Sequence, residues 1–262
     1  MSKSLVTTIR RTNRELIDNY SLVRHISLQH SISVTELNQI ACMFPNINIL
    51  TFSKFKTSPK TGVLNCAHLR HMTHLRIIPL NINQIDASFV ENCIQLCPVL
   101  TSLTVVYKDA LDSCKGPLTF ISDNVRLPNI VKFNLELGNI DENAFDANTI
   151  EHLSTVFPCL HYLYISSVKN KDDGMVFERT IDPLLRYNKQ LVYLKLKFYR
   201  DVVFNVGDVK IVDDRTKQEE DEEEEKYAKQ FLSNSINKTT LNTYDPNNYK
   251  VWYKQDVLSI WL

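Results

Sequence analysis

Glycine is scarce in this chain: its 262 residues include 5, and these five, Gly62, Gly116, Gly138, Gly174 and Gly207, lie far apart. A phosphate loop or a dinucleotide-binding turn needs several glycines within a few residues, so that backbone N–H groups can approach an anion. Neither is present. Long apolar runs are missing too, since no stretch approaches the ~20 residues that cross a bilayer as a helix. The segment from Met1 to Asn13 is polar, carries Lys3, Arg10 and Arg11, and lacks the apolar centre of a secretory leader. The expectation from these absences is a soluble, intracellular protein, cytoplasmic or nuclear.

Net charge is absent overall, with 30 basic residues against 30 acidic ones, but the charge is unevenly placed. Glu219, Glu220, Asp221, Glu222, Glu223, Glu224 and Glu225 form an unbroken acidic run. Removing those 7 acids leaves 23 acidic against 30 basic residues, so the rest of the chain is basic by about 7 charges. Such a run is usually a solvated insertion, and functionally it could attract basic partners or mask Lys195 and Lys197 of the same chain.

The 6 cysteines do not read as a disulfide framework. Cys42, Cys93 and Cys97 fall on the apolar faces of predicted helices and Cys159 beside a turn, where a reduced cysteine acts as a small buried hydrophobe. The sequon Asn237-Lys-Thr239 matters only in a secreted protein. Cys66, His68, His71 and His74 are of metal-ligand type, but structural zinc gathers ligand pairs from two separated elements, and this stretch runs from a loop into a strand. No metal, cofactor or catalytic group is expected.

What the chain does contain is a recurring pattern. The stretch from Thr149 to Ile165 places Ile150, Leu153 and Phe157 at helical spacing, then Leu160, Leu163 and Ile165 as apolar-x-x-apolar-x-apolar, the mark of a short strand. Pro158 divides the two halves, since proline cannot continue a helix. The same strand pattern starts at Val23, Ile47, Met72, Leu100, Ile130, Leu160 and Leu191, at intervals of 24, 25, 28, 30, 30 and 31 residues. A period of roughly 20 to 29 residues with such a strand is the signature of leucine-rich repeats, and the later intervals run slightly long. Four of the units carry a proline two positions before the first apolar residue: Pro45, Pro98, Pro128 and Pro158. The rival reading of these alternating elements is an ordinary α/β domain.

The predicted fold is therefore α/β: a leucine-rich-repeat solenoid, or horseshoe, of about seven irregular strand-helix repeats with N- and C-terminal caps. Residues 1–20 are expected to form a helical N-terminal cap, in which Ile9, Leu16 and Ile17 cover the open end of the array. The repeats occupy 21–200, with helices expected at Ser33–Phe44, begun by a Ser33/Glu36 capping box, and at Ile85–Cys97. Further helices are expected at Asp141–Phe157, with a break near Asn148, and at Asp182–Tyr187. Residues 201–262 read as a C-terminal capping region. It would comprise a hairpin around Asn205–Asp208, a disordered acidic loop over 213–226, a helix over Tyr227–Leu232 and an apolar tail from Tyr244 to Leu262.

The units Phe44-Pro45-Asn46-Ile47, Cys97-Pro98-Val99-Leu100, Leu127-Pro128-Asn129-Ile130 and Phe157-Pro158-Cys159-Leu160 resemble the leucine-rich repeats of F-box proteins. Those proteins are substrate receptors of cullin-type ubiquitin ligases, and the resemblance covers about residues 20 to 197. It implies a non-enzymatic module for protein recognition and, as a partner, a cullin-ligase adaptor. The F-box itself is not recognisable, because only about 20 residues precede the first strand and no Leu-Pro opening occurs among them. The Asn or Cys that closes a regular repeat is also replaced, by Ser31, Phe55, Leu80, Lys108, Gly138, Val168 and Tyr199.

Side chains alternate across a strand, so the residues flanking the second apolar position project away from the core and would line the concave face of a horseshoe. In order these residues are His25 and Ser27, Ile49 and Thr51, His74 and Arg76, Ser102 and Thr104, Lys132 and Asn134, Tyr162 and Tyr164, then Tyr193 and Lys195, with Lys197 one step on, and the last three strands concentrate the tyrosines and lysines. Tyrosine combines a large contact area with a polar tip, which favours this end as the site for a protein partner. Nucleic acid is disfavoured because the acidic run would repel phosphate. The alternative function is a scaffold or chaperone for basic, histone-like proteins acting through Glu219 to Glu225.

Overall fold

The computed structural model describes residues 22–32, 34–55, 69–78, 90–91, 93–94, 97–107, 118, 121, 124–137, 147–169, 180–199, 222, 226, 249–254 and 257–262. The expected N-terminal cap, the hairpin around Asn205–Asp208 and the helix over Tyr227–Leu232 lie outside these residues, as does the acidic run apart from Glu222.

Among the described residues, nine strands form one open, mostly parallel sheet in a mixed α/β arrangement. Seven of them, β1 (His25–Ile32), β2 (Ile49–Phe55), β3 (His74–Ile77), β4 (Ser102–Val106), β5 (Lys132–Glu136), β6 (Tyr162–Lys169) and β7 (Tyr193–Tyr199), lie side by side in chain order and all parallel. A hairpin of β8 (Lys250–Lys254) and β9 (Val257–Trp261) completes the sheet, with β9 antiparallel to β7 and β8 outermost.

The register repeats from strand to strand. Positions 25, 49, 74, 102, 132, 162 and 193 stand opposite one another, which reproduces intervals of 24, 25, 28, 30, 30 and 31 residues. One backbone device sets this register. The carbonyl of Arg24 accepts from the N–H groups of both Asn48 and Ile49, and Asn48 O, Thr73 O, Thr101 O, Val131 O and His161 O each accept likewise from the next strand. The ladder ends where Leu262 N donates to Val192 O at 3.0 Å, so the hairpin enters at the position a further parallel strand would occupy.

The prolines explain how each strand is entered. Ile47 N donates to Phe44 O, Leu100 N to Cys97 O, Ile130 N to Leu127 O and Leu160 N to Phe157 O, each a three-residue step closing a β-turn. In all four the proline occupies the second turn position, where its fixed φ is already correct. Leu69–Met72 and Asn188–Leu191 make the same turn without proline.

Among the described residues, three helices lie between strands: α1 (Val34–Met43), α2 (Ala147–Val156) and α3 (Asp182–Tyr187), with Val90, Glu91, Cys93 and Ile94 also helical. Leu37, Ile40, Ala41 and Phe44 of the first helical unit, and Ile150, Leu153 and Phe157 of the second, are buried in the same core as Phe52, Leu75, Leu103, Phe133, Leu163 and Leu194 of the strands. Phe133 and Phe157 stack at 4.7 Å, joining strand to helix end. Each fully buried Leu or Phe of this kind contributes about 1.5–3 kcal/mol.

The cysteines divide. Cys93 and Cys97 are buried, but Cys42 is exposed and Cys159 only half-buried, against the expectation that all four fill the interior. Cys42 lies off the stripe set by Leu37, Ile40, Ala41 and Phe44, at 100° per residue around the helix. Cys97 is more than filler, since its thiol donates to Cys93 O at 2.9 Å and so satisfies a carbonyl at the end of its helical segment. Asn188 does the same work after α3, its Nδ2 donating to Leu184 O at 2.9 Å.

No helix among the described residues is long and apolar enough to cross a membrane.

Candidate functional site

Alternation along each strand sends one set of side chains into the core and the other to the opposite face, and register aligns that second set into rows. One row runs His25, Ile49, His74, Ser102, Lys132, Tyr162, Tyr193, Trp261 and Lys250. The next runs Ser27, Thr51, Arg76, Thr104, Asn134, Tyr164, Lys195, Ser259 and Trp252. His74, Arg76, Lys132, Asn134, Tyr162, Tyr164, Tyr193, Lys195 and Lys197 thus share one face.

The two halves of this face differ. Its first half is a polar network, in which Ser102 Oγ and Arg76 Nε are buried without a hydrogen-bond partner among the described residues. Thr104 Oγ1 lies 3.1 Å from both Asn134 Nδ2, which donates to it, and His74 Nε2, while His25 Nε2 lies 3.3 Å from Thr51 Oγ1. Arg76 Nη2 meets Glu136 Oε2 at 3.3 Å, spanning from β3 to β5 above β4. Thr51, Ser102 and Thr104 are consequently buried, although the sequence pattern places them on the binding surface. Their short side chains sit between longer ones about 4.8 Å away on neighbouring strands, which close over them.

His74 is held below its ordinary pKa, chiefly by burial and then by the positive charges of Lys132, Arg76 and His25. A neutral imidazole can accept the single Thr104 hydroxyl proton at Nε2, while Thr104 accepts from Asn134. The chain of donors is then satisfied in one direction. His71, by contrast, is exposed, and Cys66 and His68 lie outside the described residues. Among the described residues no three potential ligands group around a metal position.

The second half is open and aromatic. Tyr162 is 40% exposed and Trp261 50%, with Tyr193 between them. Tyr162 and Tyr193 approach at 6.4 Å between ring centroids, and Tyr193 and Trp261 at 4.3 Å. The Tyr193 hydroxyl is 3.3 Å from Ser259 Oγ. Lys195 Nζ lies 5.4 Å from the Tyr164 ring centroid, within cation–π range. Tyr164 has its pKa raised by burial and by the Glu136 carboxylate. Lys132, Lys197 and Lys250 are exposed.

Sequence reasoning missed Trp252, Trp261 and Lys250 as members of this face, because the apolar tail reads in the sequence as a cap or, alternatively, as a docking peptide for a partner. Leu258, Ser259 and Ile260 of β9 are buried, while Trp261 is 50% exposed and Trp252 55%. The signal was available in the alternation of Val257-Leu258-Ser259-Ile260-Trp261, a pattern that puts Trp261 and Ser259 opposite to Leu258 and Ile260. The acidic residues Glu219, Glu220, Asp221, Glu223, Glu224 and Glu225 are outside the described residues, so the site is built without them.

Chemically, the open half offers aromatic area, ammonium groups and hydroxyls, arranged for contact. Comparison of the chain with protein-family models, with curated proteins and with solved structures finds no match in any of the three.

Proposed function

We propose that this chain is an irregular leucine-rich-repeat array that binds a protein partner on the polar face of its sheet, without catalysis. The repeated register, at intervals of 24 to 31 residues and entered through a shared turn, supports the repeat reading. In a horseshoe of such repeats the polar rows would form the concave lining, which these solenoids use for binding. The role most in keeping with the Phe/Cys/Leu-Pro units is substrate recognition of the F-box kind, engaging a cullin-ligase adaptor.

The observation that carries the binding reading is the aromatic row in which exposed Tyr162 and Trp261 flank half-buried Tyr193. Monomeric surfaces seldom leave several large aromatics adjacent and open, and Tyr and Trp are enriched where partners bind most strongly. The test is affinity purification of the tagged full-length protein at near-physiological salt, alongside the Tyr162→Ala with Tyr193→Ala double variant. A partner retained by the wild type and lost by the double variant supports the reading, and ligase subunits among the retained proteins would support the F-box-like role. A partner retained equally by both, but lost when the acids of 219–225 become Ser and Gln, overturns it in favour of a scaffold for basic proteins.

A further inference from the structure

We propose that the segment recognised by this face is an extended acidic peptide lying across the strands, with carboxylates near its two ends and apolar residues between. This rests on the reading of the face as a protein-binding surface. The row that carries it is Lys132, Tyr162, Tyr193, Trp261 and Lys250, one residue from each of β5, β6, β7, β9 and β8, paired in unbroken register. Strands are spaced by about 4.8 Å, so the two lysines stand roughly 19 Å apart with three aromatics between them. An extended chain advances about 3.3 Å per residue, so acids about six residues apart would meet both ammonium groups at once.

The charge on the rows fixes the sign of the ligand. Lys132, Lys195, Lys197 and Lys250 make no ion pair with any described acid. Among the described residues, the one acid on this part of the face, Glu136, is already engaged by Arg76. A cationic surface left in that state attracts carboxylates and repels basic segments. Lys195 and Lys197, two residues apart along β7 and about 7 Å from each other, give a second point at which an acidic side chain of the same segment can dock.

The aromatic centre favours polypeptide over single-stranded nucleic acid. Base stacking needs open ring faces and a cationic track along the whole backbone. Here the Tyr162–Tyr193 pair is tilted by 57° and the Tyr193–Trp261 pair by 41°, so the rings pack on one another instead of presenting parallel faces. The lysines of the row stand only at its ends. That combination fits proline and aliphatic side chains flanked by acids.

The test uses the full-length chain and a fluorescein-labelled peptide of about eight residues, two glutamates at each end around Pro-Leu-Pro-Tyr, followed by anisotropy. Saturable binding is expected. It should weaken at least tenfold when the glutamates become glutamines, and at least tenfold in the Lys132→Ala with Lys250→Ala variant. Both lysines are exposed, so that variant should keep the wild-type unfolding midpoint and a loss of binding cannot be assigned to misfolding. Equal binding of the glutamine peptide, or tighter binding of a thymidine oligonucleotide of similar length, overturns the inference. If the aromatic double variant abolishes capture of a cellular partner but the lysine variant does not, the acidic-peptide inference falls while the protein-binding reading stands. If neither variant changes capture, both fall.

Discussion

Arg76 on β3 reaches over β4 to Glu136 on β5, with Nη2 and Oε2 3.3 Å apart. With 41% and 34% of the two side chains exposed, the pair contributes no more than about 1 kcal/mol. Glu136 also acts on Tyr164, whose pKa is raised first by burial and then by this carboxylate. Glu136→Gln should therefore shift the unfolding midpoint little while moving one tyrosine back towards the ordinary value of 10.0. Spectrophotometric titration of tyrosinate, compared with a Tyr164→Phe control, reads the shift. Identical titration curves for wild type and Glu136→Gln would refute the contact.

His74 makes stability depend on pH. Its folded pKa lies below the ordinary 6.5, so between the two values the unfolded chain binds more protons than the folded one. The contribution is complete above pH 6.5 and is lost as pH falls from there through the folded value. His74→Gln should flatten the decline in stability below that point relative to wild type, as measured by urea unfolding at a series of pH values. A variant with an unchanged slope would show that His74 is not held neutral.

Neighbours on one strand should respond oppositely to truncation. Leu163 is 1% exposed and Tyr162 40%, since they face opposite sides of β6. Leu163→Ala is expected to cost about 2–5 kcal/mol in denaturant unfolding. Tyr162→Ala should cost no more than about 1.5 kcal/mol, the scale of an aromatic pair such as that with Tyr193. A larger loss at Tyr162 than at Leu163 would mean that the two faces are exchanged, as a one-residue slip produces.

Thiol reactivity should rank the described cysteines. Cys42 is exposed, Cys159 half-buried, and Cys93 and Cys97 buried, with the Cys93 thiol held well above its usual pKa by burial and by its Cys97 neighbour. Pulsed alkylation with peptide mapping should label Cys42 first, Cys159 more slowly, and Cys93 and Cys97 only after unfolding. Rapid native labelling of Cys93 would contradict the packing of its helix.

The strands were legible because their signal is local. Met72, Leu75 and Ile77, or Leu160, Leu163 and Ile165, announce a core-facing side within six residues, and Pro158, two positions before Leu160, announces the turn there. The face of the site was legible for the same reason, as alternation puts Tyr162 and Tyr164 opposite to Leu163. What escaped was anything that depends on a neighbouring strand. Thr104 looks exposed in its own strand and is buried only because Arg76, Glu136, His74 and Asn134 gather over it. Trp261 and Lys250 belong to the site only because β9 lies antiparallel against β7, a pairing between residues more than fifty positions apart that no periodicity records.

The same pairing has a consequence in time. The strand beside β7 is β9, and 57 residues, from 200 to 256, separate the end of one from the start of the other. At about 5–20 residues per second, the ribosome needs roughly 3 to 11 s to make that interval. Throughout it the growing chain carries seven strands' worth of sheet whose last edge lacks its permanent neighbour, together with Leu194 and Leu196 not yet matched by Ile260 and Leu258. Slow translation through this interval should favour aggregation, and the protein's yield in cells should respond to codon usage there more than to codon usage anywhere within β1 to β6.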